Sequence, residues 1–291
     1  MDLVVGATGF VGGLAAKQLC DRGRTVRALV RGGAGRKEAE PLAGVGAAIV
    51  DGDLTDPASI ARACQGIETV VCTVTAMPNA GGDALQRIDH DGVLNLIAEA
   101  ERAGVRRFVY TSYSGNIRVD SPLERAKRAC EARLAQSAME HVVLRPSIFM
   151  EVWLGPHLGF DIANAKARIY GEGTAKVSYV SAVDVAAFAA AAAMRPGELR
   201  DTVQIGGPDA ASQLEVVELF ERTLGRRFTL EHVHMAALEA QHQSPDPLQK
   251  TFAALSIGYA RGDAIPEARA NAERYGVALT SLADYAGRFR P

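Results

Sequence analysis

The chain is short of lysine. Its 291 residues carry six lysines against twenty-six arginines, so each lysine can be weighed individually. Cysteine is scarce too: Cys20, Cys64, Cys72 and Cys130 are widely spaced and form no C-x-x-C pair. That argues against a disulfide framework or a zinc site and for reduced thiols. No large excess of charge of either sign is present. A formal net charge of −2 gives no attraction to nucleic acid or to an anionic membrane surface. No run reaches the roughly eighteen apolar residues that span a bilayer, and the alanine-rich stretch at residues 186–193 is too short and continues a helical pattern. The basic start and cleavage pattern of a signal peptide are missing as well, since MDLVVGATG enters directly on a strand. A soluble cytoplasmic protein without a membrane or nucleic-acid partner is expected.

What is present is an alternation. Short β-rich runs at residues 3–5, 26–30, 47–50, 69–73, 107–112 and 141–145 are separated by helical patterns at 10–22, 57–64, 83–103 and 121–137. Apolar strands alternating with amphipathic helices predict right-handed βαβ units and an α/β fold with a doubly wound parallel sheet. After about residue 148 helices dominate, with strand candidates at 177–180, 202–205 and 228–233. The expected organisation is a dinucleotide-binding domain over residues 1–147 and a smaller, mostly helical substrate lobe over 148–291 that returns a strand to the sheet.

VVGATGFVGG places Gly6, Gly9 and Gly12 where the first strand turns into the first helix. A pyrophosphate needs a tight turn, close backbone approach and a helix N-terminus, which unhindered glycines supply. Thr8, Phe10 and Val11 in this turn, and Thr73 at the end of the fourth strand, are cofactor-binding candidates together with the glycines. The second strand ends TVRALVRGGAGRK, with Arg31 where an NAD-binding unit carries an acid for the ribose. A guanidinium binds a 2′-phosphate through paired charged hydrogen bonds, so NADP(H) is the expected cofactor, with Arg36 and Lys37 close by. The competing reading of these three is a set of solvated loop charges. In VDGDLTD, Asp53 and Leu54 stand where an adenine would lie, Asp53 accepting from its amino group.

GATGFVGG, VRALVR, GDLTD, DHDGVLNLIAEAERAGVRRFVYTS, LRPSIFME, VSAVDVAAFAA and IGGPDAASQLEVVELFERTLGR, in this order, resemble the NmrA-like branch of the short-chain dehydrogenase/reductase superfamily. That branch includes NAD(P)H-dependent quinone reductases, isoflavone-type reductases and regulators that sense NADP without turning it over. The superfamily's catalytic pair is Tyr-x-x-x-Lys, the lysine binding the nicotinamide ribose and helping the phenol to pass a proton. The residues four before the six lysines are Gly13, Gly33, Leu123, Ile162, Glu172 and Asp246; the pair is absent. The resemblance puts Lys127 at the lysine position and Leu123 at that of the tyrosine. It implies that Lys127 grips the ribose or takes over the acid–base role, as in the isoflavone-type reductases. It also puts Ser112 near the substrate-polarising serine and Pro146 against the nicotinamide.

The residues around Lys127 bear on this. Ser121 suits an N-cap, Pro122 the first helical position and Glu124 a capping box. On that helix Leu123, Ala126, Cys130 and Leu134 form an apolar stripe with Lys127 at its edge. The alternative is a boundary lysine snorkelling towards Glu124 or Glu131. FVYTSYSG presents Ser112 and Tyr113 at the carboxyl edge of the sheet, Tyr113 as pocket lining or replacement phenol, or both as ordinary strand-end polar residues. His90 reads as a solvated or capping residue. His232 and His234 share one face of a strand candidate without completing a metal set. Phe149, Met150, Trp153, His157 and Phe160 line an apolar pocket or form the core of the second lobe. The leading expectation is an NADPH-dependent reductase of a small, fairly apolar carbonyl, quinone or conjugated substrate. The alternative is a non-catalytic NADP(H) sensor acting through a protein partner, and a sugar epimerase is disfavoured by the missing tyrosine. Oligomeric state is not legible.

Overall fold

A computed structural model describes residues 1–78 and 81–290; Pro291, the last residue of the expected C-terminal lobe, lies outside the described residues. The first half runs β1 (Asp2–Val5), α1 (Phe10–Asp21), β2 (Val26–Val30), α2 (Glu40–Gly44), β3 (Ala48–Asp51), α3 (Pro57–Cys64) and β4 (Thr69–Cys72). A π-helical turn, Leu85–Gly92, then leads into α4 (Val93–Arg102), β5 (Arg107–Thr111), α5 (Pro122–Ala135) and β6 (Glu140–Pro146). After these come α6 (Met150–Trp153), β7 (Phe160–Asp161), β8 (Lys166–Tyr170), β9 (Lys176–Val177), α7 (Ala182–Met194) and β10 (Arg200–Ile205). The chain closes with β11 (Ala211–Ser212), α8 (Gln213–Leu224), β12 (Thr229–Val233), α9 (Met235–His242), α10 (Pro247–Arg261), α11 (Ala268–Tyr275) and α12 (Leu282–Gly287).

Two compact units are present. The first holds Met1–Ser112, Pro122–Leu144 and Val185–Val203; the second holds Tyr113–Ser121, Arg145–Asp184 and the residues from Gln204 onward. Residues 185–203 therefore fold with the N-terminal part of the chain. The seven-stranded sheet has the order β10-β6-β5-β4-β1-β2-β3, and β1 pairs in parallel with both β2 and β4. The order reverses direction between β1 and β4, the switch point at which open α/β sheets bind ligands beyond their carboxyl ends. Leu3, Ile60, Val70, Leu96, Ile97 and Phe108 are completely buried in the first core. Arg107 is buried with them at the start of β5. Its guanidinium donates to the carbonyls of Ala192, Ala193, Arg195 and Gly197, satisfying the end of α7 that no helical donor reaches.

In the second unit β12, β8 and β7 form one small sheet and β11 with β9 another. Its core is aromatic: the Trp153 and Tyr259 rings stand 4.4 Å apart, Phe160 and Phe220 5.0 Å apart. Asp263, 1% exposed, ties three segments together. Its carboxylate accepts from Ser114 Oγ at 2.6 Å, Asn116 Nδ2 at 2.9 Å and Ser147 Oγ at 2.8 Å. Among the described residues no helix is long and apolar enough to cross a membrane.

Candidate active site

Beyond Val5 the chain turns through Gly6, whose φ of +84° an L side chain resists. Gly9 N–H donates to Gly6 O at 2.9 Å and closes the turn. Gly9 is the N-cap of α1 and supplies no side-chain acceptor. The first bond of the helix is Gly13 N–H to Gly9 O at 2.9 Å. The N–H groups of Phe10, Val11 and Gly12 thus have no acceptor within the helix, and they carry the positive end of its dipole. Gly12 is set by contact: a Cβ there would stand 2.1 Å from Gly6 O and 2.6 Å from Thr73 Oγ1. Thr73 binds Val5 O through its N–H at 3.0 Å and its hydroxyl at 3.3 Å, fastening the end of β4 to the turn. Thr8, Gly9 and Phe10 are exposed. These features suit a pyrophosphate.

Arg31 and Arg36 are exposed beyond β2. The turn after Arg31 is held by Asp51, which accepts from Gly32 N–H at 2.8 Å. Arg36 leans back on Glu38 at 3.2 Å, which favours the solvated-charge reading for that residue. Asp53 accepts from both the N–H and the hydroxyl of Thr55 at 2.8 Å. Burial pushes its carboxyl up, but those bonds, with the Arg31 and Arg87 guanidiniums, bring it below the ordinary value. Leu54 is buried, and a Cβ on Gly92 would meet its Cβ at 2.9 Å.

Lys127 points inward. It is 4% exposed, and its ammonium donates to Val74 O at 2.8 Å and Thr111 O at 3.3 Å, just beyond β4 and at the end of β5. It also stands 5.0 Å from the centre of the Tyr110 ring. The snorkelling alternative is thereby removed: Glu131 and Glu124 face Arg128 instead, at 2.7 and 3.6 Å. The side chain 3.7 Å from Lys127 Nζ is Asp89, fully buried in the π-helical turn. Asp89 Oδ2 accepts from Ala76 N–H at 2.8 Å, while Oδ1 has no hydrogen-bond partner. Two hydroxyls at the end of β5, Thr111 Oγ1 and Ser112 Oγ, are likewise buried without a hydrogen-bond partner among the described residues. Asp89 is the residue sequence reasoning misses. Its signal is there in the predicted helix over 83–103, where an aspartate interrupts the stripe of Leu85, Val93, Leu96 and Ala100.

Burial pushes the Cys72 thiol up to about 12 and that of Cys130 up to about 11, and it raises the Tyr110 phenol well above its usual value. Cys130 donates to Asp89 O at 3.4 Å. Leu123, which the resemblance puts at the tyrosine's position, is buried. His90 contacts Gln86 at 3.0 Å and Asp91 at 2.7 Å on a partly exposed face, in keeping with a solvated residue.

Tyr113 and Pro146 belong to the second unit. Tyr113 is half-buried against that unit's apolar core, and Pro146 is buried and followed by Ser147, which bonds Asp263. Of the apolar pocket candidates, Met150, Trp153 and Phe160 are buried core residues, whereas Phe149 is half-buried and His157 exposed. His234 falls outside β12 as the N-cap of α9, so the two histidines do not alternate along one strand.

A doubly wound parallel sheet whose first helix opens on a glycine turn defines a Rossmann-type protein. The chain belongs to the NmrA-like family, which it matches over residues 3–257. It is 31% identical over 237 residues to the photosystem II assembly factor Ycf39 of Synechocystis, covering 81% of this chain and 71% of that protein. It is also 31% identical over 256 residues to the (4-alkanoyl-5-oxo-2,5-dihydrofuran-3-yl)methyl phosphate reductase of Streptomyces griseus, covering 87% and 84%. The fold matches that of an NADPH-dependent quinone oxidoreductase from Escherichia coli, solved with NADPH, at a TM-score of 0.81 and 22% identity over 99% of both chains.

Proposed function

We propose that the protein is an NADPH-dependent reductase of a small, fairly apolar carbonyl, quinone or conjugated substrate, with Lys127 in place of the usual tyrosine–lysine pair. The observation that carries this reading is the setting of Lys127. A buried ammonium is costly, and this one is held by two backbone carbonyls just beyond the carboxyl ends of β4 and β5, the edge at which such sheets bind ligands. Gly6, Gly9 and Gly12 with the free N–H groups of α1 would hold the pyrophosphate, Arg31 the 2′-phosphate, and Asp53 and Leu54 the adenosine. Ser112 would polarise the substrate. When bound, the cofactor supplies a hydride. The chain's own task is then to orient both molecules and to deliver a proton. The reductase from Streptomyces griseus and the quinone oxidoreductase from Escherichia coli, as named, support the same chemistry.

Stopped-flow NADPH oxidation across a panel of quinones, enones and aromatic carbonyls tests this reading, and saturable turnover of at least one class is expected. If no member oxidises NADPH although NADPH binds, a second reading leads: a non-catalytic NADP(H) sensor docking on a protein partner. Buried Leu123 in the tyrosine's place and the likeness to an assembly factor favour that alternative.

A further inference from the structure

The segment after β3, where Asp53 and Leu54 would meet the adenosine, has a third neighbour in Arg87. This arginine lies in the π-helical turn, where each N–H bonds five residues back, so Gly92 follows it one turn later. A Cβ on Gly92 would stand 2.9 Å from Leu54 Cβ and 3.0 Å from Arg87 O. The turn is therefore packed directly on Leu54, and the backbone of Arg87 meets that leucine at the glycine. Any larger residue at position 92 would push the two apart.

The Arg87 side chain is exposed and oriented. Its Nε donates to Asp83 Oδ1 at 2.8 Å, four residues earlier. That bond takes one of the five guanidinium N–H groups, and neither Nη has an acceptor among the described residues. Asp53 is open in the same way. Both bonds from Thr55 go to its Oδ1, and Oδ2 has no hydrogen-bond partner among the described residues. The Arg87 guanidinium is close enough to act on this carboxylate, alongside that of Arg31.

An ionised acceptor, an apolar floor and a flat cation are together what an adenine ring needs. Asp53 would accept from its amino group, and a guanidinium is planar, delocalised and weakly hydrated enough to stack on a base. A phosphate suits Arg87 less well, because the carboxylates of Asp53 and Asp83, both near its guanidinium, would repel it. We infer that Arg87 stacks on the adenine ring of the cofactor and so adds affinity for any adenine nucleotide, with or without the 2′-phosphate assigned to Arg31. This rests on the placement of the adenosine at Asp53 and Leu54.

Isothermal titration of NADPH, NADH and 2′,5′-ADP into the wild type and three variants tests this without any turnover. Arg87→Ala is expected to weaken all three ligands by the same factor, about three- to tenfold. Arg87→Lys keeps the charge without the plane and should bind as weakly as Arg87→Ala. Arg87→Tyr keeps a plane without the charge and should recover most of the affinity. Unchanged affinity in Arg87→Ala, full recovery by lysine, or a loss confined to the two 2′-phosphorylated ligands overturns the inference. Asp53→Ala separates this from the placement it rests on. If 2′,5′-ADP binds Asp53→Ala as it binds the wild type, the adenine lies elsewhere and the placement fails. If Asp53→Ala weakens binding and Arg87→Ala does not, the stacking role alone fails.

Discussion

Gly12 and Gly13 are adjacent in sequence and opposite in expected response. A methyl group on Gly12 would come within 2.1 Å of Gly6 O and 2.6 Å of Thr73 Oγ1, about 1 Å inside normal contact with a backbone oxygen that cannot rotate away. Overpacking of this kind costs about 3 kcal/mol or more. At roughly 2–4 °C per kcal/mol for a domain of this size, Gly12→Ala should lower Tm by about 6–12 °C. Moving α1 outward relieves the clash only by displacing the N–H groups of Phe10, Val11 and Gly12. NADPH affinity should therefore fall more than about tenfold, or about 1.4 kcal/mol, even where the fold survives. The matching methyl on Gly13 would stand 3.3 Å from Ala7 O, a contact that a few tenths of an ångström relieves. Replacing a helical glycine by alanine stabilises by about 0.5–1 kcal/mol, so Gly13→Ala should leave Tm level or slightly raised and binding intact. Differential scanning calorimetry and isothermal titration with NADPH measure both quantities. A Gly12→Ala protein with wild-type Tm and affinity would refute the close-approach reasoning, and so would equal damage from the two substitutions.

Arg31→Ala should weaken NADPH binding about tenfold or more by removing charge-assisted hydrogen bonds while leaving NADH affinity unchanged; titration with each cofactor checks this, and an equal loss for both places Arg31 elsewhere. Native protein should offer a thiol reagent at most Cys20 at pH 8, because Cys64, Cys72 and Cys130 are fully buried with thiols pushed up to about 11, 12 and 11; all four should react in denaturant, and rapid native labelling of two or more contradicts the burial. Asp184 is raised by burial against the two Thr280 bonds, with Glu151 adding to the shift. A raised folded value means that its contribution to stability is complete below the unfolded value and is lost as pH rises through the folded one. Asp184→Asn should therefore raise Tm at pH 7, with the gain shrinking as pH falls into the ordinary carboxylate range. A gain that grows on acidification has the wrong sign.

The first half of the fold was legible because its signals are local. Residues 57–64 form α3 and 26–30 form β2 as expected, since each apolar run is bounded by its own turn residues. The helix expected over 83–103 was legible in kind but not in register: eight residues are too few to separate a π-helical spacing from the α-helical one that follows, so Leu85–Gly92 could not be told from α4. Asp89 was overlooked for a related reason, because its burial depends on β4 and α5 closing over it. In the second unit β7, β9 and β11 have two residues each, too few for any alternation, and β8 reads as a mixed KARIY. Trp153, Met150 and Phe160 carry apolar surface without saying what they face, and the structure gives them to the core. The glycine turn was readable from spacing, whereas spacing put Lys127 only at the edge of its stripe; its inward aim and the carboxylate opposite it required the fold.

Lys127→Met is the most direct test of the central claim, measured as single-turnover NADPH oxidation with the best substrate of the panel and compared with the wild type at equal cofactor saturation. Methionine fills the space of the stem without an ammonium. Loss of a positioned general acid predicts a rate reduced about 100-fold or more, with NADPH still bound within about tenfold of the wild-type affinity. Hydride transfer at the wild-type rate in Lys127→Met would contradict the account.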